Sequence, residues 1–224
     1  MSIKNWPLQL RPREKLFAAG ASVLTDSELL AILIQTGVQG RNVVDLASDI
    51  ISHFGGLRAL FSSTQEQMHC ISGVGPAKSA QLVAMVELNR RHLREHLSKG
   101  DALANPDCTR NYLISILRER KREIFLSLYL DNRHRVIADE ELFKGTIDGA
   151  MVYPRIVAER ALRHNAAAVI IAHNHPSGVA EPSRADEAIT ARLRDALALF
   201  DIRLLDHFIV GEGRPVSLAE RGLV

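Results

Sequence analysis

The stretch AAAVIIAHNHPSGVAEPSRAD occupies residues 166–186, and the architecture of the C-terminal half follows from it. The apolar residues 166–172 are typical of a buried strand, and Ser183 precedes a pattern that predicts a helix to about Phe200. Prolines and a glycine within residues 176–182 predict a turn. A strand, a turn and a helix in this order can bring the strand end and the first helical turn together, where α/β sheets commonly carry reactive groups.

His173 and His175 stand at the end of this predicted strand. Residues two apart in an extended chain point to the same side, so both imidazoles can bind one ion while Asn174 points away. The turn can return the first turn of the next helix to the same place and present Asp186. Three protein ligands are typical of catalytic zinc, because structural zinc usually has four. The pattern therefore predicts a Zn²⁺ site in which the pKa of a bound water falls to about 7 and hydroxide becomes the nucleophile.

Ser183 lies one helical turn before Asp186 and should face the same cavity. Its hydroxyl is our candidate for the group that stabilises the developing oxyanion. The alternative is that Ser183 only caps its helix.

The residues that surround this motif predict a mixed α/β sheet domain with helices packed on it. A helix from Thr109 to about Arg120 should precede the β-rich segment 124–130. Further strands are predicted at residues 133–137, 141–143 and 202–210, and a helix from Pro154 to near Asn165.

The first half of the chain predicts a small all-α domain. A capping signal at Thr25 precedes an apolar run, residues 43–51 have helical periodicity, and a third helix is predicted from Ala77 to roughly His96. Residues 98–107 are the candidate linker. We therefore predict domains at residues 1–100 and 101–224.

Composition limits the classes of protein that fit. The hydrophobic fraction of 46% is that of a globular chain, and the net charge of +2 does not by itself indicate nucleic-acid binding. Cys70 and Cys108 are far apart, which argues against a disulfide framework or a cysteine-rich zinc ribbon. The N-terminal residues lack the apolar core of a signal peptide, and no apolar run is long enough to span a bilayer. We expect a soluble, cytoplasmic protein.

The motifs described above resemble those of known protein families. His-x-His followed by Ser183 and Asp186 resembles the JAMM (MPN-plus) zinc metallopeptidase signature, and nearly the full chain resembles the bacterial RadC-like family. The similar segments are Arg11–Lys15, Leu24–Leu30, Gly73–Gly75, Ala172–Gly178 and Leu205–His207.

This resemblance implies a JAMM/MPN fold of the cytidine-deaminase-like type after an N-terminal domain that resembles helix-hairpin-helix modules. It also implies a zinc-dependent hydrolase, a metallopeptidase or isopeptidase that cleaves a peptide or protein substrate. In the JAMM fold a helix leads into a strand whose early glutamate is the general acid and base, which points to Glu123. Strand register cannot be fixed from sequence, so Glu140 and Glu141 remain alternative bases.

Gly73, Gly75 and Lys78 support a second hypothesis. The segment Gly73–Lys78 resembles the hairpin of a helix-hairpin-helix module, in which backbone amides approach a DNA phosphate and a lysine adds charge. The alternative is that this Gly-x-Gly segment is an ordinary turn between two helices with no role in binding. On this second hypothesis the protein is a DNA-repair or recombination accessory that binds DNA through the helical domain, with the zinc domain as a scaffold.

Overall fold

The computed structural model describes residues 3–100, 102, 106–145 and 152–224. Contacts divide the chain into two units, one that ends at Asn89 and one that begins at Arg90. The predicted domains at residues 1–100 and 101–224 stay a prediction, and residues 101 and 103–105 of the predicted linker lie outside the described part.

The N-terminal unit is helical, as predicted. A capping box begins its second helix: the Thr25 hydroxyl accepts a hydrogen bond from the amide of Glu28 at 3.3 Å, and the Glu28 carboxylate accepts one from the amide of Thr25 at 2.8 Å. The helices are α1 Pro12–Ala19, α2 Asp26–Ile34, α3 Val43–Phe54, α4 Leu57–Ser62, α5 Gln65–His69 and α6 Pro76–Lys99, the last of which continues beyond this unit. Three of these helices, α1, α4 and α5, were not predicted, because segments of five to eight residues carry little periodicity.

One apolar core holds this unit together. Its buried residues come mainly from α2 and α3, with single contributions from α4, α5 and α6, and include Leu30, Leu46, Leu60, Met68 and Leu82. The Gly73–Lys78 segment covers the end of the connection from α5 and the first turn of α6. No helix in the described part of the chain is both long enough and apolar enough to cross a membrane.

The C-terminal unit contains a mixed sheet with the strand order β2-β1-β3-β4-β5. The strands β3 and β4 are parallel, and the other neighbours pair antiparallel. The strands are β1 Ile124–Leu130, β2 Val136–Lys144, β3 Ala168–Asn174, β4 Arg203–Val210 and β5 Val216–Ser217; the helices are α7 Pro106–Leu117, α8 Pro154–Arg163 and α9 Arg184–Ala198. The predicted fold class, helices followed by a mixed α/β domain, is confirmed.

The two faces of the sheet have separate cores, because side chains alternate along each strand. Leu126, Leu128 and Ile170 pack on one face with α7. Phe125, Val169 and Ile171 pack on the other face with α8 and α9. His173 therefore points to the same side as Val169 and Ile171, which is the side of α9.

The separate strands predicted at 133–137 and 141–143 are wrong: one strand, β2, covers residues 136–144. The turn before it includes residues 133–135, which were predicted as strand. One Asp131 carboxylate oxygen accepts hydrogen bonds from the amides of Arg133 and Arg135, and His134 has a positive φ of 55°. These contacts hold residues 131–135 out of the sheet.

Candidate metal centre

Strand β3 and helix α9 bring the three predicted zinc ligands together. The Nε2 atoms of His173 and His175 are 2.9 Å apart. Oδ1 of Asp186 lies 3.2 Å from Nε2 of His173, and its Oδ2 lies 3.6 Å from Nε2 of His175. Within the described residues this is the one group of three or more side chains placed to share a metal ion.

A chain of hydrogen bonds fixes the tautomer of His173. The Thr190 hydroxyl donates its hydrogen to the carbonyl of Asp186 at 2.5 Å, so it must accept one from Nδ1 of His207, 2.6 Å away. Nε2 of His207 then carries a lone pair and accepts a hydrogen bond from Nδ1 of His173 at 2.8 Å. Nε2 of His173 is left as a lone pair that faces the cluster.

The tautomer of His175 is fixed in the same sense by its own loop. Its Nδ1 lies 2.8 Å from the carbonyl oxygen of Val179, which can only accept, so Nδ1 carries the hydrogen. Gly178 makes this turn possible, because its φ is 86° and a Cβ there would lie 2.7 Å from the Glu212 side chain. Nε2 of His175 is therefore also a lone pair.

These donor atoms fit zinc. Two nitrogen lone pairs 2.9 Å apart beside a carboxylate repel one another unless a cation lies between them. In a tetrahedral site with Zn–N distances of about 2.0–2.1 Å, neighbouring ligand atoms are about 3.3 Å apart. The observed separations of 2.9, 3.2 and 3.6 Å bracket that value. Two imidazoles and one carboxylate are the set typical of an open, catalytic zinc site.

Neighbouring groups shift the pKa values in this cluster, and the direction of the shift differs from one residue to the next. Burial opposes ionisation of Asp186, but its contacts with the His173 and His175 rings, in the states in which Nε2 carries a proton, hold its pKa below the usual value. Burial lowers the pKa of His207 far below its usual range, and the neighbouring His173 lowers it further. The neighbouring Asp186 carboxylate raises the pKa of His175, with a smaller contribution from the charge of Glu123, so a proton competes with a metal ion for Nε2 of this ring. His207 is therefore neutral, in agreement with its place in the hydrogen-bond chain.

Ser183 is the N-cap of α9 and forms a capping box with Asp186. Its hydroxyl accepts from the amide of Asp186 at 3.2 Å and donates to Oδ2 of the same residue at 2.7 Å. The capping role that the sequence left open is thus present. The hydroxyl also touches the carboxylate of a candidate ligand, so Ser183 adjoins the site. Its role toward an oxyanion stays a prediction.

Glu123 immediately precedes β1. In the antiparallel register of β1 and β3, Phe125 is opposite His173, so two residues further along Glu123 comes opposite His175. The charge of Glu123 acts on the pKa of His175, which agrees with this placement. Glu140 pairs with His164 at 2.7 Å, and Glu141 pairs with Arg120 at 2.5 Å. Position therefore favours Glu123 as the base, although the role itself stays a prediction.

Asn174 was predicted only to point away from the ligands, and its function was missed. Its side chain points to the opposite face of the sheet from His173 and forms hydrogen bonds with the backbone on both sides of Glu123. Its Oδ1 accepts from the amide of Ile124 at 2.8 Å, and its Nδ2 donates to the carbonyls of Arg120 and Arg122 at 3.0 and 3.1 Å. No local sequence signal identifies these partners, which lie about 50 residues earlier.

His207 and Thr190 are the other contributors that sequence analysis did not assign. The segment Leu205–His207 drew attention through the resemblance, and adjacent strand residues face opposite sides. His207 faces His173, whereas Asp206 faces the C-terminal segment and accepts from the hydroxyl of Ser217 at 2.6 Å. Thr190 lies one helical turn after Asp186 and so on the same face of α9. This spacing could have indicated from sequence that Thr190 lies near the site.

Of the residues of the second hypothesis, Gly73 and Gly75 lie in the connection between α5 and α6, and Lys78 lies in the first turn of α6. Nζ of Lys78 donates to the carbonyl of Gly73 at 2.9 Å, so the ammonium group is engaged within the hairpin. Gly73 has a φ of 97°, and a Cβ there would lie 2.7 Å from Cγ1 of Val38. Around Gly75 the position of a Cβ is open. Contact with DNA through these residues stays a prediction.

Comparison with known proteins agrees with this architecture. Residues 103–223 match the family model described as the RadC-like JAB domain, and residues 3–80 match the UPF0758 N-terminal domain. The chain belongs to the RadC-like family. JAB domains share the JAMM-type fold that the sequence predicted.

Full-length relatives extend the match to this RadC-like chain as a whole. A UPF0758 protein of Thioalkalivibrio sulfidiphilus is 61% identical over 224 residues and is covered over 100% of both chains. UPF0758 proteins of Nitrosococcus oceani and of Vibrio cholerae are each 58% identical over the same length, again with 100% of both chains covered. The pairing of the two domains is therefore shared with these relatives.

Proposed function

We propose that the RadC-like domain is a zinc-dependent hydrolase of amide bonds, of the metallopeptidase or isopeptidase type, and that its substrate is a peptide or protein. The observation that supports this most strongly is the convergence of two Nε2 lone pairs and one carboxylate at separations of 2.9–3.6 Å. A set of three ligands favours a catalytic zinc over a structural one.

Each proposed role belongs to a named group. His173, His175 and Asp186 hold the metal, and His207 keeps His173 in the tautomer that can bind it. Zinc in this position acts as a Lewis acid and lowers the pKa of water. Glu123 takes up the proton of the attacking water and later delivers it to the leaving amine. Ser183 donates to the oxygen on which negative charge develops, for which its hydroxyl hydrogen turns from Asp186 to the substrate.

Metal analysis and product analysis together test this proposal. Purified wild-type protein is reconstituted with zinc, dialysed and analysed for metal, and is then incubated with a bacterial peptide library whose new termini are labelled. We expect about one zinc per chain. His175→Ala should lose the metal. Glu123→Gln should retain it and lose the cleavage products.

Glu141→Gln is the matched control for Glu123→Gln, because it makes the same chemical change in a carboxylate that pairs with Arg120. It should cleave as the wild type does. The proposal fails if the wild type binds no stoichiometric zinc, or if the products of Glu123→Gln equal those of the wild type. Loss of products in Glu141→Gln alone would move the base to that residue.

The DNA-accessory hypothesis remains the alternative, with Gly73, Gly75 and Lys78 as the contact. Gly75 is the position for its test, since it is exposed and a Cβ there would have no other atom within 4 Å. If the hairpin binds DNA, Gly75→Glu will weaken a salt-dependent affinity for duplex DNA. Equal affinity of both proteins would remove the hairpin from consideration.

A further inference from the structure

A cleft of about 820 Å³ lies within the N-terminal unit. The start of α1, the end of α2 and the connection from α2 to α3 form its walls. Cavities of roughly 300–1,000 Å³ are the size that binds small organic molecules in proteins. The cleft involves none of the zinc-site residues, so binding of a ligand in it is independent of the proposed hydrolase.

Three guanidinium groups line this cleft: Arg11 and Arg13 at the start of α1, and Arg41 from the segment before α3. Arg41 is held in place by Asp49 at 2.7 Å and by the carbonyl of Ser72 at 3.2 Å. Nε of Arg11 donates to the carbonyl of Trp6 at 3.1 Å. Arg13 is exposed and makes no hydrogen bond or ion pair with the residues that the structure describes. An anion in the cleft could therefore bind the guanidinium of Arg13, whereas those of Arg11 and Arg41 are held by hydrogen bonds within the protein.

A strained backbone forms one wall. Gln35 has φ 63° and ψ −39°, and the amide of Thr36 donates to the carbonyl of Ile34 at 2.7 Å. This is the γ-turn that is rare and strained in L-residues. Conformations of this kind are unfavourable and persist where the surroundings enforce them, most often at ligand sites and switches.

The rest of this wall is rigid. Gly37 packs so closely that a Cβ would lie 2.3 Å from the carbonyl oxygen of Arg41. Val38 and Arg41 exchange two backbone hydrogen bonds of 3.0 Å across a turn at Gln39-Gly40. The wall therefore keeps its shape without a ligand, which lowers the entropic cost of binding.

The remaining surface is apolar or neutral except for Glu14, whose carboxylate lies 4.0 Å from a guanidinium nitrogen of Arg11. Pro12, Ala31, Ile32 and Val43 contribute hydrocarbon, and Gln35 and Asn42 contribute amides. A ligand that suits this cleft has a flat or apolar part for the hydrocarbon wall and a compact anion for the guanidinium groups. Arginine guanidinium groups match phosphate oxygens in geometry as well as in charge.

We propose that this cleft binds a nucleotide-sized molecule through a terminal phosphate monoester, with Arg13 as its main charged contact. A free mononucleotide and the 5′-phosphorylated end of a nucleic-acid strand present the same group. The two sources are separated by experiment.

Calorimetric titration of the full-length protein tests the proposal. The probes are adenosine 5′-monophosphate, a thymidine hexamer with a 5′-phosphate and the same hexamer with a 5′-hydroxyl, each up to about 1 mM. Arg13→Glu should weaken binding of the phosphorylated probe at least tenfold. Arg58→Glu makes the same change of charge in α4, outside the cleft, and should bind as the wild type does. Fluorescence of Trp6, the single tryptophan, checks that both variants fold.

Each outcome bears on the proposal. Binding of the mononucleotide identifies a free nucleotide as the ligand class. Binding of the phosphorylated hexamer alone identifies a strand end. The proposal is overturned if no probe binds, if both hexamers bind equally, or if Arg13→Glu binds as tightly as the wild type.

Discussion

His207 lies in β4 with no exposed surface, between the hydroxyl of Thr190 and the ring of His173. It offers His173 a single acceptor, and this acceptor decides which nitrogen of His173 keeps its lone pair. Partners of this kind orient metal-binding histidines, and their loss lowers metal affinity by about 10- to 100-fold.

We therefore expect His207→Ala to weaken zinc binding by about 10- to 100-fold, measured by competition with a chromophoric chelator. Asp206→Asn is the control on the same strand. Its carboxylate faces Ser217 and Ala219, so that substitution should lower stability without changing zinc affinity. Zinc affinity of wild-type strength in His207→Ala would contradict the assigned tautomer.

Because the backbone at Gln35 is strained, we expect a substitution by glycine there to raise stability rather than lower it. Gln35→Gly removes the Cβ from a positive-φ position, and we expect a gain of about 1 kcal/mol in the free energy of unfolding of the N-terminal unit. Urea denaturation followed by Trp6 fluorescence measures it. Gln39→Gly, in the same connection but without positive φ, should instead lose about 0.5–1 kcal/mol. A loss at Gln35 as well would mean that the side chain contributes more than its conformation costs.

The antiparallel pairing of β1 with β3 places both Glu123, the proposed base, and the residue that supports it. Asn174 extends from the end of β3 and satisfies three backbone groups around Glu123. A buried amide with three partners is costly to remove, because the groups that lose it stay desolvated.

Asn174→Ala should lower the free energy of unfolding by about 1–3 kcal/mol and reduce cleavage more than zinc content. Asn174→Asp retains the acceptor for Ile124 and loses the donors to Arg120 and Arg122, so it separates the two contributions. Zinc content and cleavage measured on the same samples give the answer. A parallel fall of both would show that Asn174 supports the metal rather than the base.

Features that depend on neighbouring residues could be predicted from the sequence, whereas features that depend on the pairing of distant strands could not. The alternation of His173 and His175 and the phase of Asp186 after Ser183 depend on strand and helix periodicity, which is written in neighbouring residues. The partners of Asn174 and His173 depend on how β1 and β4 pair with β3. Register between distant strands has no local signal. The strained turn at Gln35 was missed because glutamine is not a residue that predicts positive φ.

Two units with separate cores should respond separately to loss of metal. The proposed zinc ligands lie in the unit that begins at Arg90, and the single tryptophan lies in the other. Zinc at 100 times its dissociation constant stabilises the state that binds it by about 2.7 kcal/mol.

Treatment with a chelator should therefore lower the thermal midpoint of the C-terminal unit, followed by far-ultraviolet circular dichroism. The transition seen by Trp6 fluorescence should remain where it was. His175→Ala without chelator is the control and should reproduce the chelated profile. A shift of the Trp6 transition by the same amount would show that the whole chain unfolds as one cooperative body.

Asp186 is at once the third residue of α9, where its carboxylate completes the cap with Ser183, and a proposed ligand of the metal. Glutamate serves a capping box at that position as well as aspartate does. A one-base change in the gene, from an aspartate to a glutamate codon, would therefore preserve the helix start and yet displace the carboxylate by one methylene. On the proposed function, this single substitution alters the metal site without disturbing the start of the helix that carries it.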